Sequence, residues 1–319
     1  MSSWEGFFCL NHNILAIDSH FHLNYLNSLK FTLEKAIQKN VVTGIVAGVW
    51  NEDTLENLSY SIDPNLNSVL CFLSKEIEIK KSFDLNKFSC FLSHGLHPMY
   101  VHEKWLLENG KQNNEKISQD LFEFNQILFQ NKNKIWAIGE TGFDLSNDVK
   151  NHKNCKSLTK QDLIELQNIA FENCIHTSIK YSLPVILHLR APWSLCIQKI
   201  KWAKNQGVKN MMIHCYSGPA EELKVLSKLS IYCSFGVVPT WQKATKNREA
   251  FLKCDPLFRM LETDSPDLPP EIPGVGKLTE NEPGNLIEIS KILAAYLNKT
   301  DIELIQSSNE NVFRFLGIL

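Results

Sequence analysis

Eight short, nearly uninterrupted apolar runs recur along this chain, and most of them end in a side chain capable of chemistry. Leu15-Ala16-Ile17 leads into Asp18, Ser89 to Leu92 into His94 and His97, and Ile135 to Gly139 into Glu140. Pro184 to Leu187 leads into His188, Met211 to Ile213 into His214, and Leu257 to Leu261 into Glu262 and Asp264. Runs of this length without alternation suit strands buried on both faces of a parallel sheet. The predicted strands are 14–17, 43–49, 89–95, 135–139, 184–188, 210–214, 231–236 and 257–263. Between them apolar residues recur at helical spacing, as in Leu163-Leu166-Ile169-Ala170, Leu223-Leu226-Leu229 and Ile287-Ile289-Ile292-Leu293. Eight strands alternating with helices predict an α/β fold, a (β/α)8 TIM-type barrel. A doubly wound sheet would want a Gly-rich phosphate loop after the first strand, and the sequence has none there. No repeat or linker interrupts the pattern, so a single domain over 1–319 is expected, with its core at about 14–317. The Asn- and Lys-rich stretches 51–86 and 145–160 read as long loops or short surface helices.

Composition narrows the function classes. Thirty-three basic and thirty-five acidic residues leave a net charge of −2, which excludes attachment to nucleic acid or membrane by bulk charge, though not a local basic groove. Nine scattered cysteines without a CxxC pair read as reduced thiols of a cytoplasmic protein. The start, MSSWEGFFCLNHN, lacks a basic signal-like pattern, and the apolar run at 44–50 is far short of the ~20 residues a bilayer span needs. No membrane and no obligate protein partner is expected.

In a barrel the C-terminal strand ends share one mouth, where active sites are built. His20 and His22 are two apart and point the same way in an extended segment. With Glu140, His188, His214 and Asp264 they make four imidazoles and two carboxylates converging from five strands. Such a set suits Zn²⁺, Mn²⁺, Fe²⁺ or partly hydrated Mg²⁺. Glu140 can give one oxygen to each of two ions, offsetting the repulsion between dications about 3.5–4 Å apart. A lone histidine at a strand end is more often a satisfied core residue, but six such placements together favour the ligand reading. Asp18 reads equally as a metal ligand or as a partner that orients a histidine, Glu262 either as such a partner or as a residue with no part in the centre, and Cys215 as a small packing residue rather than a nucleophile. His94, His102, His12, His152 and His176 fit no ligand position and read as surface or packing residues. The basic run Lys199–Lys204 reads as the solvated face of a barrel helix, and 266–270 as a rigid loop over the mouth.

The segments IDSHFHL (17–23), GLHPMYV (95–101), AIGETGFD (137–144), LPVILHLRA (183–191), IHCYSG (213–218), LETDSPDLP (261–269), NEPGN (281–285) and SNENVFRFLG (308–317) follow one another in the order of a known family. The chain resembles the TatD-related metal-dependent hydrolases of the amidohydrolase superfamily over nearly its whole length. The resemblance implies a barrel holding two divalent metal ions (Mg, Mn or Zn) and hydrolysing phosphodiester bonds, commonly as an exodeoxyribonuclease on single-stranded DNA. It implies His20, His22 and Asp264 as ligands of one ion, His188 and His214 of the other, and Glu140 as the bridge. Asn24 departs from the family's usual Asp, and Leu189 from a small or polar residue, which bears on substrate preference. Asp264 and Glu140 are the expected catalytic residues, with Asp264 orienting or deprotonating water. His97 and Arg190 are candidates for gripping substrate phosphate, Arg because its planar fork fits those oxygens, while His97, in a His-Pro turn, reads equally as a residue that closes the loop. The alternative is a metal-dependent amidohydrolase or esterase acting on a small molecule or D-aminoacyl-tRNA, which a closed apolar pocket would favour over a shallow basic one.

Overall fold

The computed structural model describes residues 14–60 and 88–319. The N-terminal stretch with His12, and residues 61–86 of the polar stretch, lie outside the described residues. Apart from a short antiparallel pair, Glu271–Ile272 with Gly276–Lys277, the strands of the described residues are β1 (Ala16–Phe21), β2 (Val41–Val46), β3 (Ser89–His94), β4 (Ile135–Asp144), β5 (Val185–Arg190), β6 (Met211–Ile213), β7 (Ile231–Phe235) and β8 (Arg259–Leu261). They form one sheet in sequential order, every neighbouring pair parallel. Asp264 N–H donates to His20 O at 3.0 Å and His22 N–H to Ser265 O at 2.8 Å, so the chain leaving β8 meets β1 and brings the ends of the sheet together. This is the (β/α)8 barrel.

Among the described residues the helices between and after the strands are α1 (Leu29–Gln38), α2 (Asn51–Ser59), α3 (Pro98–Trp105), α4 (Asn114–Asn131), α5 (Asn147–Lys150), α6 (Lys160–Tyr181), α7 (Trp193–Gln206), α8 (Leu223–Lys228), α9 (Thr245–Lys253), α10 (Leu286–Tyr296) and α11 (Asp301–Phe315). Their ends are written in the sequence. Thr159 with Asp162 starts α6 and Thr300 with Glu303 starts α11, each a reciprocal capping box, while Gly207 at φ 110° ends α7. Among the described residues no helix is long and apolar enough to cross a membrane. The seven described cysteines are free thiols.

One residue from each strand fills the inside of the barrel: Ile17, Ile45, Phe91, Ala137, Ile186, Met212, Tyr232 and Met260, with Phe313 and Phe315 of α11 packed against them. Large Phe91 stands beside small Ala137, which keeps the layer dense. Their strand neighbours, such as Ala16, Leu92, Ile138, Leu187 and Cys233, face the helices in the outer core. Helix α11 also fastens the barrel seam. Asn309 donates to Leu15 O and accepts from Ile17 N–H, while Ser308 accepts from Leu261 N–H and Asn311 donates to Arg259 O. The SNEN run therefore ties β1 to β8 through buried bonds.

All eight predicted strands are present, but three run further at their C-terminal ends than predicted, β5 among them, which reaches Arg190. β1 continues past Asp18 to Phe21, and β4 past Glu140 to Asp144. The apolar signal ends where these strands rise into the polar mouth, while the ladder continues: Gly142 pairs with His188 and Asp144 with Arg190.

Candidate metal centre

Side chains two apart on a strand share a face, so the residues following the apolar layer stand directly above it. Above Ile186 is His188, above Met212 is His214, above Met260 is Glu262, and above Ile17 is Ser19, which bonds Ser234 across the barrel at 2.6 Å. The polar mouth is thus the next storey of the same alternation.

Two bulges bring the remaining groups in. On β4, Ile138 pairs with Val185 and Thr141 with Leu187, three steps against two, so one extra residue is accommodated at Gly139–Glu140. On β1, Asp18 pairs with Gly44 and Phe21 with Val46, with the same excess around His20. Glu140 N–H donates to Gly48 O at 2.7 Å, which pins the β4 bulge to the chain leaving β2. The fit needs glycine nearby: a Cβ on Gly95 would lie 2.3 Å from Glu140 N, and one on Gly142 2.1 Å from His188 O.

The result is a carboxylate with a different set of imidazoles on each oxygen. Glu140 Oε1 lies 3.5 Å from His20 Nε2 and 3.7 Å from His22 Nε2. Its Oε2 lies 2.7 Å from His214 Nε2, 3.4 Å from His97 Nε2 and 3.5 Å from His188 Nδ1. Asp264 Oδ1 stands 3.6 Å from His20 Nε2, 3.5 Å from His22 Nε2 and 3.9 Å from His214 Nδ1. Metal–ligand bonds of about 2.0–2.2 Å put neighbouring donors of a four-coordinate ion about 3.3–3.6 Å apart, the spacing seen here. Asp264 itself adopts a left-handed backbone, φ 57°, just after β8.

Electrostatics point the same way. Burial alone would raise Glu140, but the His214, His97 and His20 imidazoles outweigh it and hold the carboxyl well below its ordinary range. Asp264 is likewise lowered against burial, by its bond with His22. Burial pushes His20 and His97 down to about 4. His22 and His188 rise to about 9 against burial, through Asp264 and Asp144 respectively. Both oxygens of Glu140, both nitrogens of His20, and Nδ1 of His22 and His214 are buried without a hydrogen-bond partner. Six orphaned polar atoms in one cluster would be costly, and divalent cations are the groups that satisfy nitrogen and carboxylate donors together. The residues fit such ions.

The six strand-end residues singled out from the sequence therefore meet in one place. His97 joins them: its Nδ1 accepts from Met99 N–H at 3.1 Å, capping α3, while its Nε2 reaches Glu140 and lies 3.2 Å from His188 Nδ1. Arg190 sits outside the cluster at the rim, exposed and 3.6 Å from Asp148. A cavity of about 410 Å³ opens beside the cluster, lined among others by Met99, His188, Arg190, His214, Asp264 and Leu268. The 266–270 loop thus does border the mouth.

Asp144 was missed, although it lies in the AIGETGFD segment four residues after Glu140. It is buried, accepts from His188 Nε2–H at 3.0 Å, and so leaves Nδ1 for the centre. Burial opposes its ionisation, yet the His188 bond holds it at about 2. Asp18 does not orient a histidine ring. It accepts from the backbone N–H groups of His20 and Thr263 and from the Thr263 hydroxyl, and burial raises it to about 7. Glu262 accepts from Cys215 N–H at 2.6 Å, holding the turn after His214, and burial beside Asp264 raises it well above its ordinary range. His94 packs between Thr54 and Phe124, and His176 is exposed.

The TatD related DNase family model matches residues 17–317. A metal-dependent hydrolase of Buchnera aphidicola from Baizongia pistaciae is 27% identical over 289 residues, 88% of either chain. Another, from Buchnera of Acyrthosiphon pisum, is 28% identical and covers 94% of this chain and 98% of its own. The crystal structure of the TatD homologue YjjV from Escherichia coli K12 shares the fold, with a TM-score of 0.69 at 20% identity, over 94% of this chain and 97% of that one. A TatD family hydrolase of Entamoeba histolytica superposes equally well, at 18% identity over 95% and 98%. With a whole-length family match on a barrel whose mouth gathers imidazoles and carboxylates, the chain belongs to the TatD-related DNase family and is a metal-dependent hydrolase.

Proposed function

We propose that this protein cleaves phosphodiester bonds from an end of single-stranded DNA, using two divalent ions bridged by Glu140. The observation that carries the proposal is the division of Glu140: Oε1 faces His20 and His22, while Oε2 faces His97, His188 and His214. His20, His22 and Asp264 would hold one ion, His188 and His214 the other, with His97 close enough to the second to be a further donor. Mg²⁺, Mn²⁺ and Zn²⁺ all accept such donors, the imidazoles favouring Mn²⁺ and Zn²⁺. Such ions supply Lewis acidity toward the phosphoryl group and make a water acidic enough to react near neutral pH.

The chain's own groups do the rest. Asp264 lines the cavity, which supports a role for its carboxylate in orienting the attacking water and taking its proton. Arg190 at the rim grips phosphate oxygens with its fork, exchanging an exposed pair with Asp148 that is worth little.

The lining is mixed: Arg190 stands among Met99, Leu189 and Leu268. That apolar share favours a second reading, hydrolysis of an amide or ester on a small molecule or aminoacyl-tRNA. An end-labelled single-stranded oligonucleotide with Mg²⁺ or Mn²⁺ separates the two. The nuclease gives a metal-dependent ladder that Asp264→Asn abolishes. An intact oligonucleotide beside metal-loaded protein sinks the nuclease reading and sends the search to amides and esters.

A further inference from the structure

Away from the barrel mouth, three metal-capable side chains meet on one flank. His102 comes from α3, and His152 and Cys155 from the turn that follows α5. One donor atom of each lies within 4.8 Å of the others. The two imidazole rings stand edge to face with centroids 4.6 Å apart. His102 and Cys155 are each only 3% exposed. His102 Nδ1 is buried and has no hydrogen-bond partner, an atom that packing alone does not satisfy.

The local fold explains how the turn offers two donors. His152 starts a 3-10 turn over Lys153–Cys155, and Cys155 N–H donates to His152 O at 2.9 Å. Residues three apart then lie on the same side of the turn. Neither the 145–160 stretch nor α3 showed this in the sequence, where His102 is remote from the HxxC pair.

We propose that His102, His152 and Cys155 bind Zn²⁺ at a site separate from the centre at the mouth. Two imidazoles and a thiolate are the donors of borderline-soft Zn²⁺ and a poor set for Mg²⁺ or Mn²⁺. On binding, the Zn–S bond forms as the Cys155 thiol proton leaves to solvent. His152 makes only one long hydrogen bond in this turn, 3.3 Å from Asn154 N–H to its Nδ1. The ion clips the turn to α3. Those two segments adjoin Asp144, which hydrogen-bonds His188, and His97, which caps α3. The clip therefore braces the wall of the mouth without entering it.

Sulfur distinguishes the two sites, because the proposed donors at the mouth include no cysteine. Protein loaded with Co²⁺ should show a thiolate-to-cobalt charge-transfer band in the near ultraviolet. Added Zn²⁺ should remove it and Mg²⁺ should not. Cys155→Ser should abolish the band, and Cys215→Ser, beside the mouth, should leave it. His152 is half-buried, so His152→Gln gives a second variant that keeps the core intact, and it too should lose the band. A folded, cobalt-loaded wild type without the band overturns the proposal. So does a band that survives Cys155→Ser or is unchanged in His152→Gln.

Discussion

Asp144 Oδ2 accepts the Nε2–H of His188 at 3.0 Å, and His188 Nδ1 thereby faces Glu140 Oε2 at 3.5 Å. A buried carboxylate thus fixes which nitrogen of the ring is free, the arrangement that orients metal-bound histidines and raises their basicity. Asp144→Asn preserves volume and removes the charge. Affinity at the His188 side should fall about 10–100-fold while circular dichroism shows a folded barrel. Chelator competition measures it; unchanged affinity would show that the pair is only packing.

His97 has two jobs that one pair of variants separates. Its Nδ1 caps α3, and its Nε2 lies 3.4 Å from Glu140 Oε2. His97→Ala should lose both, with about 1 kcal/mol of stability for the cap. His97→Asn caps as well as histidine, so thermal stability should recover while metal-dependent hydrolysis stays low. Recovery of both would confine His97 to the cap.

Gly95 is required by Glu140. A methyl group there would sit 2.3 Å from both Glu140 N and Gly139 C, so backbone must move. Overpacking of this kind costs about 1–3 kcal/mol. Gly95→Ala should lower the melting temperature and also weaken metal binding, because the displaced residue is the proposed bridge. A variant that is destabilised but binds metal normally would refute that coupling.

His94 makes stability depend on pH. Burial holds it at about 4, against 6.5 for a free imidazole. Its Nε2–H donates to Phe124 O, and Nδ1 takes the Thr54 hydroxyl, so the neutral ring is fully used. Below pH ~6.5 the unfolded chain gains a proton that the folded one refuses. Stability should therefore fall as pH drops from about 6.5 towards 4, by at most about 3 kcal/mol from this group. Urea unfolding of the metal-free protein at pH 5 and 7 checks it. His94→Asn should be less stable at pH 7 yet lose about one proton of slope; an unchanged slope would exclude His94 as the source.

Strand positions and the six convergent side chains were legible because they follow a local rule, an apolar run followed by a polar residue on the same strand. The bulges were not, since the extra residue at Gly139–Glu140 shows only against β5. Asp144 was obscured for a related reason: the predicted strand stopped at 139, five residues short of it. His97's place beside His188 and the meeting of His102 with Cys155 depend on how α3 packs. Spacing along the chain carries neither.

Two ions joined by Glu140, as proposed, would be magnetically coupled. Electron paramagnetic resonance of the Mn²⁺-loaded protein tests this without assuming a substrate, and the sulfur-containing flank site is a poor one for Mn²⁺. Wild-type protein should give the spectrum of an exchange-coupled manganese pair, and Glu140→Gln should replace it with that of isolated ions. Isolated ions in the wild type, at saturating Mn²⁺, would show that Glu140 bridges no pair.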